Sequence, residues 1–342
     1  MDFPAHPDAL IVGAGPIGLA AGISARRRGL EPLIIDAGPI CNSIVNYPVG
    51  MEFFTTPERL EIGDHPLPSV GNKVRREEAL AYYRGVVRTE GLDVRTGVRL
   101  RGIAQVNGEH HASVEGRDGA AVIRTPRVVL ATGYFDHANL LDVPGEELPH
   151  VHHRFVEPHV LSGLDVVVVG GKNSAIESAL QAWRAGARVT LVHRGTGLGP
   201  SVKYWLRPDF ENRVAAGSIR AEFGTIVTEI TPRTVTVAGH GASRRLPADA
   251  VFLLTGYHPD FALLESIGIA LDPESGRAIR DPHTLESNVP GIHLAGSVAS
   301  GRKTSEVFIE NGRYDGEKIF GDSASRVRAD ARYAASPRPR GE

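Results

Sequence analysis

Residues 8–18 read Asp-Ala-Leu-Ile-Val-Gly-Ala-Gly-Pro-Ile-Gly, and residues 33–36 read Leu-Ile-Ile-Asp. The first stretch begins with a short apolar run, typical of a buried parallel strand, and ends in a glycine turn. An alanine-rich stretch with helical character follows, and the second apolar run then ends in Asp36. Strand, turn, helix and strand in this order predict a βαβ unit, in which the two strands are parallel.

The turn Gly13-Ala-Gly-Pro-Ile-Gly18 fits the pattern G-x-G-x-x-G. In that pattern the first glycine permits a tight turn, the second (Gly15) lets a pyrophosphate approach the backbone, and the third lets the helix pack close to the strand. The helix N-terminus then offers N–H groups and a positive dipole end to the anion. Asp36 lies 23 residues after Gly13, where a carboxylate accepts from ribose hydroxyls. We therefore predict a dinucleotide site rather than a turn that only packs.

The same layout occurs a second time in the chain. Its turn reads Gly170-Gly-Lys-Asn-Ser-Ala175, so Lys172 replaces the middle glycine and an alanine the last. His193 follows Gly170 by 23 residues, the offset at which the first copy has its acid. The pair His193-Arg194 attracts a 2′-phosphate that a carboxylate would repel, so we expect this site to prefer NADPH to NADH.

Lys203 is a further candidate phosphate ligand, with a solvated surface charge as the alternative interpretation. The complete set of candidate NADPH residues is Gly170, Gly171, Lys172, Asn173, Ser174, His193, Arg194, Lys203 and Gly256.

The composition fits about two ordinary globular domains and excludes several classes of protein. The 342 residues include 38 Lys and Arg and 40 Asp and Glu, and a net charge of −2 gives no general attraction to nucleic acid or to an anionic membrane. The single cysteine, Cys41, excludes a disulfide framework, a cysteine-based zinc site and a CxxC pair within one chain. We see no membrane-spanning run and no signal peptide, so we expect a cytoplasmic protein.

The remaining segments give weaker signals. Helical spacing predicts a helix over 74–90, and the segment 93–130 predicts several strands with turns at Asn107-Gly108 and at residues 117–119. A helix is also expected over 304–320, capped by its first or second residue. Residues 323–342 have little apolar content and are interpreted as a disordered tail. No cluster has convincing metal-ligand spacing, so no metal site is predicted.

Two dinucleotide sites in one chain suit an enzyme that holds a flavin tightly and exchanges a nicotinamide. Hydride then passes from the nicotinamide to the flavin, and the flavin reduces a third molecule. We therefore expect an oxidoreductase with two cofactors and a small-molecule substrate.

The motifs also resemble those of a known family. Eight motifs are similar to those of the thioredoxin-reductase-like flavoproteins. In chain order they are GAGPIG, IIDAG, NYP, ATGY, VPGE, VHRG, LLTGYHP and GIHLAGSV. Two further motifs, GGKNSA and FIENGR, resemble the bacillithiol-disulfide reductase branch. The resemblance extends over about residues 8–322. It implies an α/β fold with two Rossmann-like domains, in which residues 1–142 and 259–322 bind FAD and residues 143–258 form an inserted NADPH domain. A homodimer is also implied.

The resemblance implies an activity and a set of cofactor ligands. The activity is NADPH-dependent reduction, through FAD, of oxidised bacillithiol, which is a low-molecular-weight disulfide. The implied FAD residues are Gly13, Gly15, Pro16, Ile17, Gly18, Asp36, Ser43, Asn46, Thr132, Gly133, Gly296 and Ser297.

Three departures from the family pattern bear on the chemistry. The CxxC pair of thioredoxin reductases is absent near residues 151–155, as it is in the bacillithiol branch. That branch usually has a cysteine in its first glycine motif, proposed to attack the disulfide, and here the matching residue is Ile17. The last FAD motif reads Gly296-Ser297 instead of Gly-Asp, so the acid that bonds the ribityl chain is missing there.

Cys41 is therefore the only candidate nucleophile. A thiolate at this position would be stabilised by a helix N-terminus, and the alternative is a buried, inert cysteine. Two other functions stay open. One is a thiol-independent NADPH reductase of ferredoxin, flavodoxin or a quinone, and the other is a flavin- and nucleotide-binding redox sensor.

Overall fold

The structure, a computed structural model, describes residues 3–4, 6–304 and 306–336. Contacts divide the chain into two units. The first unit comprises the described residues of Met1–Asn46, Gly50–His137 and Tyr257–Arg338, and the second comprises Tyr47–Val49 and Ala138–Gly256.

Both units combine strands and helices. The strands are β1 (Ala9–Val12), β2 (Pro32–Asp36), β3 (Asp93–Thr96), β4 (Arg99–Val106), β5 (Glu109–Gly116), β6 (Gly119–Thr125), β7 (Val128–Leu130), β8 (His137–Ala138), β9 (Val151–His152), β10 (Asp165–Val169), β11 (Arg188–His193), β12 (Ile219–Phe223), β13 (Thr225–Ile230), β14 (Thr234–Gly239), β15 (Ala242–Pro247), β16 (Ala250–Leu253), β17 (Tyr257–His258) and β18 (Ile292–Leu294). The helices are α1 (Pro16–Arg26), α2 (Asn42–Val45), α3 (Arg76–Glu90), α4 (Asn173–Arg184), α5 (Arg207–Ala215), α6 (Phe261–Ser266), α7 (Ile309–Gly312), α8 (Asp315–Phe320) and α9 (Ser323–Ala335).

The first unit is built on a parallel sheet with the strand order β18-β7-β1-β2-β3. Ile11 in β1 lies opposite Ile34 in β2 and Val129 in β7, and all three side chains are fully buried. Continuous apolar strands of this kind are buried on both faces. The pairing of β1 with β2 around α1 confirms the predicted βαβ unit.

The second unit repeats this arrangement with the order β12-β11-β10-β16-β9, again all parallel. Val167 in β10 lies opposite Thr190 in β11 and Val251 in β16. The pairing of β10 with β11 around α4 confirms the second predicted βαβ unit.

An antiparallel three-stranded sheet packs within each unit. The strands β4, β5 and β6 form the first, whose Leu100 and Val114 join the core cluster of Leu10 and Val12. The strands β13, β14 and β15 form the second. The hairpin between β4 and β5 turns at Asn107, with φ 53°, and the following glycine, which confirms the predicted turn. The helix predicted over 74–90 is confirmed as α3.

The C-terminal predictions are wrong in two places. The segment 304–320 contains two short helices, α7 and α8, and α7 begins only at Ile309, where Asn311 Oδ1 accepts the Phe308 N–H at 2.8 Å. The segment interpreted as disordered contains α9 up to Ala335. Asp322 Oδ1 accepts the N–H of Ser325 at 2.8 Å and caps this helix, so local capping compensates for the low apolar content. The expected cap at residue 305 and the tail beyond residue 336 lie outside the described residues.

Within the described part of the chain, no helix has the length and apolar character needed to cross a bilayer.

Two candidate nucleotide sites

The first candidate site lies where β1, β2, β7 and β18 end. Because the four strands are parallel, their carboxyl ends meet at one edge of the sheet. The chain continues from β1 into β2 on one side, and β7 lies on the other side of β1, so β1 marks a topological switch point. Open α/β sheets bind their ligands at such points.

The first glycine turn, Gly13–Gly18, packs closely on backbone atoms of its own and of the segment after β7. Gly13 has a φ of 113°, and a side chain there would overlap the carbonyl oxygen of Ala131. A methyl group on Gly18 would overlap the carbonyl oxygen of Gly13. Gly15 is different, because a Cβ built on it meets nothing within 4 Å. The turn therefore leaves open space at its middle glycine, beside the N–H groups that begin α1.

Asp36 fastens this turn to the end of β2. Its Oδ2 accepts the N–H of Ala14 at 2.7 Å, and its Oδ1 accepts the N–H of Gly38 at 2.7 Å. Burial raises the pKa of Asp36, and the two N–H donors oppose that effect. Each carboxylate oxygen keeps a lone pair, so Asp36 is able to accept from a ribose hydroxyl while holding the turn.

Cys41 lies at the N-cap of α2 and is 1% exposed. Burial, and then the charge of Asp36, raise the pKa of the Cys41 thiol well above its usual range. Of the two alternatives that the sequence leaves open, this burial favours the unactivated thiol over a thiolate stabilised by the helix N-terminus. Of the other expected ligands here, Ser43 lies on α2, and Asn46 Nδ2 donates to the Asn42 carbonyl at 2.8 Å.

The loops after β7 and β18 complete the first site. Gly133 and Ser297 are neighbours, since a Cβ on Gly133 would lie 3.7 Å from Ser297 Oγ. Thr132 N lies 3.1 Å from a Cβ built on Gly13. These candidate FAD residues are thus brought together, although they are far apart in the sequence.

A buried acid stands beside the last FAD motif. The N–H of Gly296 donates to Asp315 Oδ2 at 2.7 Å. Burial raises the pKa of Asp315, which is 2% exposed. The motif Gly296-Ser297 lacks an acid of its own, but Asp315 on α8 provides a carboxylate that accepts the Gly296 N–H. Sequence reasoning missed Asp315 because no local pattern links it to a glycine 19 residues earlier.

Ile17 stands where the resemblance implies a cysteine in the bacillithiol-disulfide reductase branch. Its Cδ1 lies 2.6 Å from a Cβ built on Gly296 and 2.5 Å from one built on Gly312. The isoleucine side chain therefore fills the space between these two glycines, and hydrocarbon replaces a reactive group there.

The second candidate site lies at the equivalent edge of the other sheet. In the second glycine turn, Gly170–Ala175, a Cβ on Gly170 would lie 2.6 Å from the carbonyl oxygen of Leu254. Lys172 is the N-cap of α4, and both Lys172 and Ser174 are exposed. Gly256 follows the neighbouring strand, and its carbonyl accepts the N–H of Asn139 at 2.9 Å.

His193 packs directly against the second glycine turn. A side chain on Gly171 would overlap its ring, and a Cβ on Gly195 would lie 2.7 Å from its Nε2. Burial, and then the charge of Arg194, lower the pKa of His193. The ring is therefore neutral near pH 7, and of this pair only the exposed Arg194 provides the positive charge expected from the sequence.

Asn173 joins the second glycine turn to the segment before α5. Its Oδ1 accepts the N–H of Lys203 at 2.8 Å, and its Nδ2 donates to the carbonyl of Ser201 at 3.1 Å. Lys203 Nζ lies 5.4 Å from the centroid of the Trp205 ring. The motif predicted Asn173 as a cofactor ligand, and nothing in the sequence indicates its bonds to a segment 28 to 30 residues away.

No group of three or more His, Cys, Asp or Glu residues that could hold a metal ion occurs among residues 3–4, 6–304 and 306–336.

A family model described as pyridine nucleotide-disulphide oxidoreductase matches residues 10–296. The chain belongs to this family. The pyridine nucleotide-disulphide oxidoreductases and their thioredoxin-reductase-like relatives use FAD and NADPH, so the chain is an oxidoreductase with these two cofactors.

Within this family, the chain is 41% identical over 319 residues to bacilliredoxin reductase Bdr of Bacillus subtilis strain 168, covering 93% of this chain and 98% of the relative. The solved structure of bacillithiol disulfide reductase Bdr from Bacillus cereus matches with a TM-score of 0.91 at 41% identity, covering 94% of this chain and 99% of that chain. The resemblance to the bacillithiol-disulfide reductase branch is thereby confirmed.

The thioredoxin reductase of T. acidophilum matches with a TM-score of 0.72 at 20% identity, covering 96% of this chain and 100% of that chain. A likeness at this identity concerns the fold alone. It confirms the expected thioredoxin-reductase-like α/β fold.

Proposed function

We propose that this protein passes electrons from NADPH, through FAD, to a low-molecular-weight disulfide of the bacillithiol type. The observation that carries the proposal is the match to the solved bacillithiol disulfide reductase Bdr, at 41% identity over 94% of this chain, together with the two glycine turns at the carboxyl ends of parallel strands. The overall reaction consumes NADPH and one proton from solvent, breaks one S–S bond and releases NADP⁺ and two thiols.

FAD fits the first candidate site. The open space at Gly15 and the N–H groups at the start of α1 suit a pyrophosphate, and the carboxylate of Asp36 suits a ribose. When bound, FAD supplies a carrier that accepts two electrons from a nicotinamide and passes them on. The other residues that would hold it are Pro16, Ile17, Ser43, Asn46, Thr132, Gly133, Gly296 and Ser297.

NADPH fits the second candidate site, which has exposed cationic side chains where the first site has the carboxylate of Asp36. Lys172 is exposed at the start of α4, and Arg194 is exposed beyond the end of β11. Both suit phosphate groups, and Arg194 suits the 2′-phosphate because a guanidinium binds phosphate bidentately. Gly170, Gly171 and the exposed Ser174 provide the backbone and hydroxyl around the turn.

The chain has no activated thiol to attack a disulfide substrate. Cys41 is the only cysteine in the chain, it is 1% exposed, and burial raises the pKa of its thiol well above the usual range. Thiol–disulfide exchange needs a thiolate as the attacking group. We therefore infer that the disulfide is reduced without a mixed disulfide to this chain, which agrees with the isoleucine at the family's nucleophile position.

The decisive experiment is stopped-flow kinetics on the purified flavoprotein. NADPH should bleach the flavin absorbance, and bacillithiol disulfide should restore it in repeated turnovers. The Cys41→Ala variant should retain the wild-type turnover number within about twofold. A complete loss of disulfide turnover in a folded, flavin-loaded Cys41→Ala variant would contradict direct reduction.

The same experiment separates the two other functions. Faster reoxidation by ferredoxin, flavodoxin or a quinone than by the disulfide would favour the thiol-independent reductase. NADPH consumption no faster than the slow reaction with oxygen, whatever the acceptor, would favour a redox sensor.

We propose a homodimer in the cytoplasm. A chain with one cysteine suits a reducing compartment, and the dimer follows from the family resemblance. Light scattering after size-exclusion chromatography should give twice the chain mass of 36.7 kDa, and a single chain mass would contradict the dimer.

A further inference from the structure

We propose that Asn173 is a positioning residue for coenzyme choice, holding Lys203 beside the second glycine turn so that Lys203 and Arg194 together recognise the 2′-phosphate of NADPH. This inference rests on the assignment of NADPH to the second site. It gives Asn173 a different role from the direct cofactor contact that its motif predicts.

The hydrogen bonds of Asn173 support an indirect role. Its Oδ1 already accepts the Lys203 N–H at 2.8 Å, and its Nδ2 already donates to the Ser201 carbonyl at 3.1 Å. Both ends of the amide are thus directed to one segment of three residues. A side chain that binds the main chain twice fixes the position of that segment relative to the start of α4.

The first glycine turn provides an internal comparison. The residue that corresponds to Asn173 there is Pro16, which also stands at the first position of its helix. Proline has a fixed φ that suits this position and no side-chain hydrogen bond to offer. Asparagine favours caps and turns over helix interiors, so its place at the start of α4 is explained by the bonds it makes outside the helix.

The distribution of charge explains why Lys203 is needed. His193 packs on the second glycine turn and is neutral near pH 7, since burial and Arg194 lower its pKa. Arg194 alone gives one positive charge, whereas a 2′-phosphate carries between one and two negative charges at that pH. Lys203 is joined to the same turn through Asn173, and its ammonium group lies 5.4 Å from the Trp205 ring centroid. A lysine attached at this point supplies the second cation.

The test measures binding of 2′,5′-ADP and of 5′-AMP by titration calorimetry on the flavin-loaded enzyme. These two probes differ only in the 2′-phosphate and need no turnover. Asn173→Ala should weaken 2′,5′-ADP about tenfold and change 5′-AMP by less than about twofold. Asn212→Ala, an exposed asparagine on α5, is the matched control and should change neither.

A double mutant shows whether Asn173 acts through Lys203. Lys203→Met removes the charge but keeps the backbone N–H that Asn173 binds, and it should weaken 2′,5′-ADP by at least as much as Asn173→Ala. The double variant should bind 2′,5′-ADP no more weakly than Lys203→Met alone. Losses of binding free energy that add up in the double variant would overturn the indirect role. An equal loss of affinity for both probes in Asn173→Ala would overturn it as well.

Lys203→Met keeps the inference testable even if Asn173→Ala does not fold. Wild-type affinity for 2′,5′-ADP in Lys203→Met would overturn the inference. The result is separate from the disulfide chemistry, because a protein that fails to reduce bacillithiol disulfide still gives a clear answer on both probes. A wild-type protein that binds the two probes equally would overturn both this inference and the assignment of NADPH.

Discussion

The two glycine turns occupy the same place in two sheets of similar topology, but different atoms secure them. Both turns pack on a carbonyl oxygen from a neighbouring segment, Gly13 on that of Ala131 and Gly170 on that of Leu254. The first turn is also held by Asp36, whose carboxylate accepts from Ala14 and Gly38. Among the described residues the second turn has no such acid, and instead the His193 ring packs on it and Asn173 binds another segment. The same βαβ layout thus gives one turn held by a carboxylate and a second turn with exposed cationic side chains.

The largest expected effect comes from exchanging the last residue of each turn. Gly18→Ala should give a protein without bound flavin, because the methyl group would overlap the Gly13 carbonyl oxygen and either α1 or the turn must move. Overpacking of this kind costs about 1–3 kcal/mol in stability. The ratio of flavin to protein absorbance measures the effect.

The reciprocal change is the control for that comparison. Ala175→Gly in the second turn should leave flavin content unchanged and change the KM for NADPH by less than about threefold. Full flavin occupancy in Gly18→Ala would show that the first turn is not as closed as its backbone indicates.

Arg194→Gln should have the next largest effect. Loss of a charge-assisted hydrogen bond costs about 1.5–3 kcal/mol, which corresponds to roughly 10–140-fold in affinity. The preference for NADPH over NADH, measured as the ratio of kcat/KM values, should fall by that factor through a higher KM for NADPH. Arg184→Gln removes an exposed arginine near the other end of α4 and should leave the ratio unchanged. An unchanged ratio in Arg194→Gln would place the 2′-phosphate elsewhere.

The two turns also differ in how much of their structure the sequence predicts. The order of apolar run, glycine turn, helical stretch and second apolar run predicted both βαβ units. This pattern lies within one short stretch of sequence, and the same stretch forms the unit. The charge of His193 and the role of Asn173 were not predictable. Both depend on which atoms approach from distant segments, as when the His193 ring comes to rest on Gly171.

The partner of the Gly296 motif, the ionisation of Cys41 and the last helix were likewise not predictable from the sequence. The Gly296 motif lacks an acid of its own, and its backbone N–H donates to Asp315, which the sequence places on a different element. The ionisation of Cys41 depends on burial, and a sequence does not give the solvent exposure of a single side chain. The helix α9 was missed because its cap and its ion pair between Lys318 and Asp330 stabilise a segment with few apolar residues.

A moderate effect is expected from Asp36→Asn. The amide has a single acceptor oxygen, so one of the two N–H groups of Ala14 and Gly38 loses its partner at a cost of about 1–3 kcal/mol. Flavin affinity should fall about tenfold, and the Tm should fall by several degrees. Asp8→Asn is the matched control, since Asp8 also accepts a backbone N–H, that of Glu31 at 2.8 Å, at an exposed position. Equal effects in both variants would mean that Asp36 has only a structural role.

The smallest expected effect is that of His193→Gln on coenzyme choice. Because burial lowers the pKa of His193, the ring carries no charge near pH 7, and its loss should change the NADPH to NADH ratio by less than about threefold at pH 7.5. The folded state also binds fewer protons at this ring than the unfolded chain does. Wild-type stability should therefore fall as the pH drops below about 6.5, where histidine ordinarily titrates, and the variant should lose less over the same range. Urea unfolding at pH 7.5 and 5.5 measures this difference. A large loss of NADPH preference at pH 7.5 would instead show that the bound phosphate protonates His193, and the second site would then use three cations.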